Sequence, residues 1–213
     1  MMSRPRLLVF AVAAALLAAG AFSVTSARQP RHGAPITESA PQETYDKWDW
    51  FVDTYWIVPE EGIYSIYHPL GTDAFVVWRG QTVFHITDYF NGYFTGAVVV
   101  KVTGALVPSC QYVLGQVTPQ KRVYLTMYDA ETGEMTNNPI GQMVRKHGKW
   151  TMVNQMTGPG AGGPAGATLS HWAYMVQSKP GDATFESLPF AGQSIPEFMS
   201  ACPPGPKITR TPG

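Results

Sequence analysis

Apolar and polar residues alternate with a period of two through the middle of the chain, and turn-forming residues interrupt them about every ten positions, which predicts an all-β sandwich or barrel. "QTVFHITDYF" and "YFTGAVVVKV" are rich in β-branched and aromatic residues and flank Asn91-Gly92. Both positions of a type I′ turn need positive φ, so Asn-Gly at this loop length predicts a hairpin. That register sets Phe90 opposite Tyr93, Asp88 opposite Thr95, Ile86 opposite Ala97 and His85 opposite Val98. One face then carries Phe84, Ile86, Phe90, Tyr93, Ala97 and Val99. The other carries Val83, His85, Thr87, Tyr89, Phe94, Val98 and Val100. Both faces are largely apolar. The hairpin is therefore covered on both sides, or has one face in a core and one in a pocket.

Two more hairpins follow. "CQYVLGQV" and "RVYLTMYD" flank Thr118-Pro119-Gln120-Lys121, where Pro119 suits the second position of a type I turn. "IGQMVRK" and "KWTMVNQM" flank His147-Gly148. In the last of these Trp150, Met152, Asn154 and Met156 share one face. Thr151, Val153 and Gln155 share the other. "TGPGAGGPAGA" reads as a linker, and "SHWAYMVQ" as one more strand. Upstream, "KWDWFVDTYWIV" and "GIYSIYHP" supply one or two strands, with strand expected from Val52 onward; a short helix over "WDWFVDTYW" is the alternative, since Trp48, Phe51 and Tyr55 fall at helical spacing. Ser194 followed by Pro196 and Glu197 forms a capping box and predicts a short C-terminal helix. Successive hairpins make an antiparallel meander, and a meander of about eight strands closes, or nearly closes, into a barrel to remove its edges.

In hairpin order and ring-rich strands the chain resembles lipocalin and avidin architecture. The lipocalin opening pairs a Gly with a Trp two residues on, whereas "DTYWIVPEEG" has no Gly there. The resemblance therefore implies a barrel and transfers no functional residue.

The first residues, "MMSRPRLLVFAVAAALLAAGAFSVTSARQ", have a basic start, an apolar run and small residues at Thr25-Ser26-Ala27. That is the layout of a secretory signal peptide over 1–27, shorter in its apolar run than the roughly 20 residues of a spanning helix. Residues 28–43 read as a disordered leader, 44–202 as a single β domain and 203–213 as a flexible tail. The expected compartment is extracellular, periplasmic or cell envelope, with no stable membrane span after cleavage. In that setting Cys110 and Cys202 are expected to form a disulfide.

Net charge is zero over 213 residues, and there is no basic stripe, which argues against a nucleic-acid partner. Charged residues make up 14% of the chain, against about 25% in ordinary soluble domains, while rings are plentiful. Such a chain fills a large interior with rings or exposes them for binding. Six Trp exceed what one core of this size needs, so an exposed platform for carbohydrate is one use for some of them.

The sequence holds no nucleophile elbow, zinc-protease helix, paired-Cys motif or phosphate loop, and no motif requires a metal or cofactor. His147 lies in a turn and His68 at a strand end. His85 and His171 lie inside apolar strand segments, where a His is either a satisfied core residue or a polar anchor for a ligand. Asn154 and Gln155 alternate, so one of them points inward and needs hydrogen-bond partners. The expected ligand-binding set is His85, Tyr89, Trp150, Asn154, His171 and Trp172.

Three functions fit. The first is a secreted protein holding a small apolar or aromatic ligand in the barrel lumen. The second is a cell-envelope structural or interaction protein without a cavity. The third is a hydrolase-like or isomerase-like enzyme using His85 or His171. Binding is the expected role rather than catalysis.

Overall fold

In the computed structural model, residues 45–159 and 166–210 are described. The predicted signal peptide and leader, and linker residues 160–165, lie outside them. Period-two segments become strands: β1 Thr54–Ile57, β2 Tyr64–His68, β3 Val76–Phe90, β4 Tyr93–Val102, β5 Ser109–Val117, β6 Arg122–Asp129, β7 Met135–Asn137, β8 Ile140–Lys146, β9 Lys149–Pro159 and β10 Thr168–Ser178. All pair antiparallel. They close an eight-position barrel. β1 and β2 share the position between β10 and β3, separated by a 3-10 turn at Glu60–Gly62. β7 continues the line of β8 along β6, and β9–β10 pairing completes the ring.

The Asn91-Gly92 corner forms, with both residues at positive φ. Phe90 pairs with Tyr93 and Asp88 with Thr95, as the sequence predicts. Beyond Thr95 the register differs. Thr87 is an extra residue, so Ile86 pairs with Gly96 and His85 with Ala97, not with Ala97 and Val98. A bulge gives two residues on one strand to one on the other and reverses the alternation beyond it. The predicted faces are corrected accordingly. Phe84, Ile86, Tyr89, Phe94 and Val98 face the interior together. Val83 and Val99 face outward, against a second cluster.

That second cluster covers the outer face of β1, β3 and β4. Two short helices, α1 Ala183–Glu186 and α2 Ile195–Met199, supply Phe185, Ile195 and Phe198 to it. The hairpin is therefore covered on both faces. Ser194 Oγ accepts from the Glu197 amide, which caps α2. Just past α2, Cys202 forms a disulfide with Cys110 on β5. The chain beyond it, expected to be loose, lies along the bulge. The Pro206 carbonyl accepts from Thr87 Oγ1 at 2.9 Å and Thr95 Oγ1 at 2.7 Å, and Asp88 Oδ2 accepts from the Ile208 amide at 2.9 Å.

One end of the barrel is plugged. A 3-10 helix at Tyr45–Phe51 inserts Trp48 and Phe51 beneath Trp56, Phe94 and Trp150, with ring centroids 4.9–5.6 Å apart. Gly115 on β5 makes room for the Phe94 ring, which a Cβ there would overlap. Strand begins at Thr54 rather than Val52, because Asp53 takes a positive φ where the plug turns into β1.

Candidate functional site in the barrel lumen

Away from the plug, the inward side chains enclose a cavity of about 70 Å³. Its wall is mainly apolar, with Phe84, Leu125, Met127, Met156 and Met175 prominent. Five polar side chains break that wall: Thr82 on β3, Gln111 on β5, Asn137 on β7, Asn154 on β9 and His171 on β10. Strand parity puts them there. Gln111 alternates with inward Val113 and Val117, Asn154 with Met152 and Met156, and His171 with Ala173 and Met175.

The three amides are 3%, 5% and 8% exposed, yet Gln111 Oε1, Asn137 Oδ1 and Asn154 Oδ1 accept no hydrogen bond. They are three of the five unpartnered buried side-chain polar atoms among the described residues. A buried acceptor left unmade costs about 1–3 kcal/mol. Two of the oxygens sit where glycine leaves space. Asn154 faces its cross-strand partner Gly141, and Asn137 lies against Gly158; a Cβ on either glycine would collide with the amide oxygen.

His171 is fixed. One ring nitrogen, Nε2, lies 2.9 Å from the Gly62 carbonyl, which the turn between β1 and β2 brings to the wall. A carbonyl only accepts, so Nε2 carries the proton and a neutral ring keeps Nδ1 as an acceptor. Burial holds this imidazole below its ordinary 6.5; the Gly62 bond pulls the other way, less strongly. Among the lining side chains His171 is the only ionisable one. The lumen thus offers hydrogen-bonding groups in an apolar wall. It does not pair an acid with a base.

The six side chains predicted to bind ligand lie in different places. Asn154 and His171 line the cavity. Tyr89 is inside the barrel, but its hydroxyl accepts from the Gly92 amide at 2.9 Å beneath the hairpin corner. Trp150 packs on Trp48 in the plug. Trp172 points outward and is 55% exposed. His85 also faces outward, stacked on Tyr55 with centroids 4.3 Å apart and its Nε2 3.9 Å from Asp53 Oδ1. Burial lowers the His85 pKa more than Asp53 raises it, and burial, then Asp53, raises that of Tyr55.

The sequence reading missed Gln111 and Asn137. Gln111 carried a signal, because it sits at the same parity as Val113 and Val117. Asn137 belongs to a three-residue strand with no alternation of its own. No cluster of three or more His, Cys, Asp or Glu side chains suited to a metal ion occurs among the described residues. No helix among them is long and apolar enough to cross a membrane. Comparison with family models, curated proteins and solved structures finds no match to this chain.

Proposed function

We propose that the protein is an exported binding protein that holds a small, uncharged, largely apolar or aromatic ligand in the barrel lumen. The observation that carries this reading is that Gln111, Asn137 and Asn154, whose buried amide oxygens lack a partner, all line one apolar cavity. Those oxygens select a ligand with N–H or O–H donors. The apolar remainder of the wall selects against a charged one. Export is supported by the layout of residues 1–27 and by a disulfide of the kind that persists in oxidising compartments.

At about 70 Å³ the cavity is smaller than the roughly 300–1,000 Å³ of sites for drug-sized ligands. Its occupant is therefore compact. Met127, Met156 and Met175 give the wall some adaptability, since an unbranched thioether re-packs around a guest more readily than a branched side chain.

The test combines native mass spectrometry of the purified protein with Trp fluorescence across a panel of compact phenols, amides and heteroaromatics. A bound small molecule, or a saturable response that Asn154→Leu removes, is the expected result. An empty spectrum together with no response across the panel counts against the reading.

A second reading, an interaction protein of the cell envelope, draws on one observation. Tyr93, Tyr124, Ile140 and Trp172 are exposed and fall in one cross-strand row on the outer surface, linked through Gln116 and Gln155.

A further inference from the structure

The plugged end of the barrel carries a second feature, independent of the lumen. An open cleft of about 710 Å³ lies there, ten times the internal cavity. Arg145, Lys146, Lys149 and Lys179 line it, with His147 between them, against only Glu61 and Asp182. Glu61 is engaged by the Tyr174 hydroxyl, and Asp182 accepts from the Lys179 amide. No ion pair among the described residues involves any of the four cations.

The arrangement works against stability. Lys146 and Lys149 are direct cross-strand partners at the end of β8–β9, and like charges opposite one another on a sheet repel. Arg145 is nevertheless held in place. Its guanidinium donates to the Gly148 carbonyl at 2.8 Å and lies 4.7 Å from the centre of the Trp150 ring. Lys146 sits 4.2 Å over the Tyr174 ring. Four cations against two carboxylates around a concave space leave a net positive field that favours an anion.

Three features narrow the anion. Three of the cations lie within residues 145–149 of the β8–β9 hairpin and the fourth, Lys179, follows β10, so two separate segments of the wall contribute the positive charge. Trp50 and Trp150, both half-buried, give the wall ring surface, the Trp150 ring being shared with the Arg145 guanidinium. Gln177 adds an exposed, uncharged hydrogen-bonding group. A chain of sugar rings bearing a carboxylate on each unit matches all three. We propose that this cleft binds a carboxylated oligosaccharide.

The experiment titrates full-length mature protein with polygalacturonate oligosaccharides by calorimetry, at low and at raised salt. Neutral cello-oligosaccharides and vesicles containing phosphatidylglycerol serve as comparators. The double variant Lys146→Gln, Lys149→Gln reports on the cleft, and its thermal midpoint checks that it folds. The expected result is salt-sensitive binding of the acidic sugar, no binding of the neutral one, and affinity about three- to tenfold weaker in the variant, the scale of two exposed ion pairs. Absence of binding at low salt overturns the proposal. So do equal affinity for the neutral sugar, unchanged affinity in a folded variant, and binding to vesicles alone. A separate variant, Asn154→Leu, leaves this binding unchanged because it alters only the lumen. Failure here and failure of the lumen reading are therefore distinguishable.

Discussion

Asn154 illustrates how one side chain can oppose stability and serve binding. Its oxygen is buried beside Gly141 with no donor, so an apolar residue of similar size removes a penalty. Asn154→Leu is expected to stabilise the unliganded protein by about 1 kcal/mol, read from denaturant midpoints, while ligand binding is lost. Gly141→Ala acts in the opposite direction. The added methyl meets the Val153 carbonyl and the Asn154 amide, and a loss of about 1–3 kcal/mol is expected in the same assay. His171 gives a pH signature. The unfolded imidazole takes its proton near 6.5, and the folded one only at lower pH. Between those values the unfolded state binds more protons, so stability is full above pH 6.5 and falls as pH drops through the folded value. His171→Gln is expected to flatten that slope as pH falls below about 6.5 in chemical-denaturation curves. A slope of the same sign remains from His85. At this level the sequence was informative wherever parity could be counted. Asn154 was readable from its neighbours Met152 and Met156, and Gln111 was readable in the same way from Val113 and Val117. Asn137 was not, since its place comes from the line of β8 continuing along β6.

Hairpins were legible because their turns are chemically specified. Asn91-Gly92, the Pro119 turn and His147-Gly148 all join the strands that the alternation predicts. The Thr87 bulge was not legible, because nothing in "HITDYF" marks an extra residue; it exists because Tyr89 and Ile86 must both reach the interior. The strand break at Glu60–Gly62 was equally hidden, and it supplies the carbonyl that fixes His171. A helical turn in the plug was legible as an alternative from the spacing of Trp48 and Phe51, but its insertion into the barrel depends on packing. Phe51 is fully buried among Trp48, Trp56 and Phe94, and Phe51→Ala is expected to cost about 3–5 kcal/mol by thermal or chemical unfolding. The C-terminal helix was readable from its capping box, and so was the pairing of its Cys202 with Cys110. That disulfide closes 92 residues, for which chain entropy allows about 4–5 kcal/mol as an upper figure. Replacing both Cys by Ala is expected to lower stability by about 2–5 kcal/mol.

Across the molecule, the two ends of the barrel differ in chemistry. The plug end gathers aromatic rings and unpaired cations. The other end holds the cavity with its amides. The alternation of residues predicted a barrel, and the barrel formed, but whether it was hollow could not be read from side-chain order. The rings that the composition assigns to a lumen fill the plug instead, and polar groups hold the space that remains. The account rests on that space being a ligand site rather than a packing defect. A crystal structure of the protein exported by cells and purified without denaturation decides this. The expected result is non-protein density in the lumen, larger than water, within hydrogen-bonding distance of at least two of Gln111, Asn137 and Asn154. A lumen holding only water, or one closed by methionine side chains with the three amides bonded to each other, would contradict it.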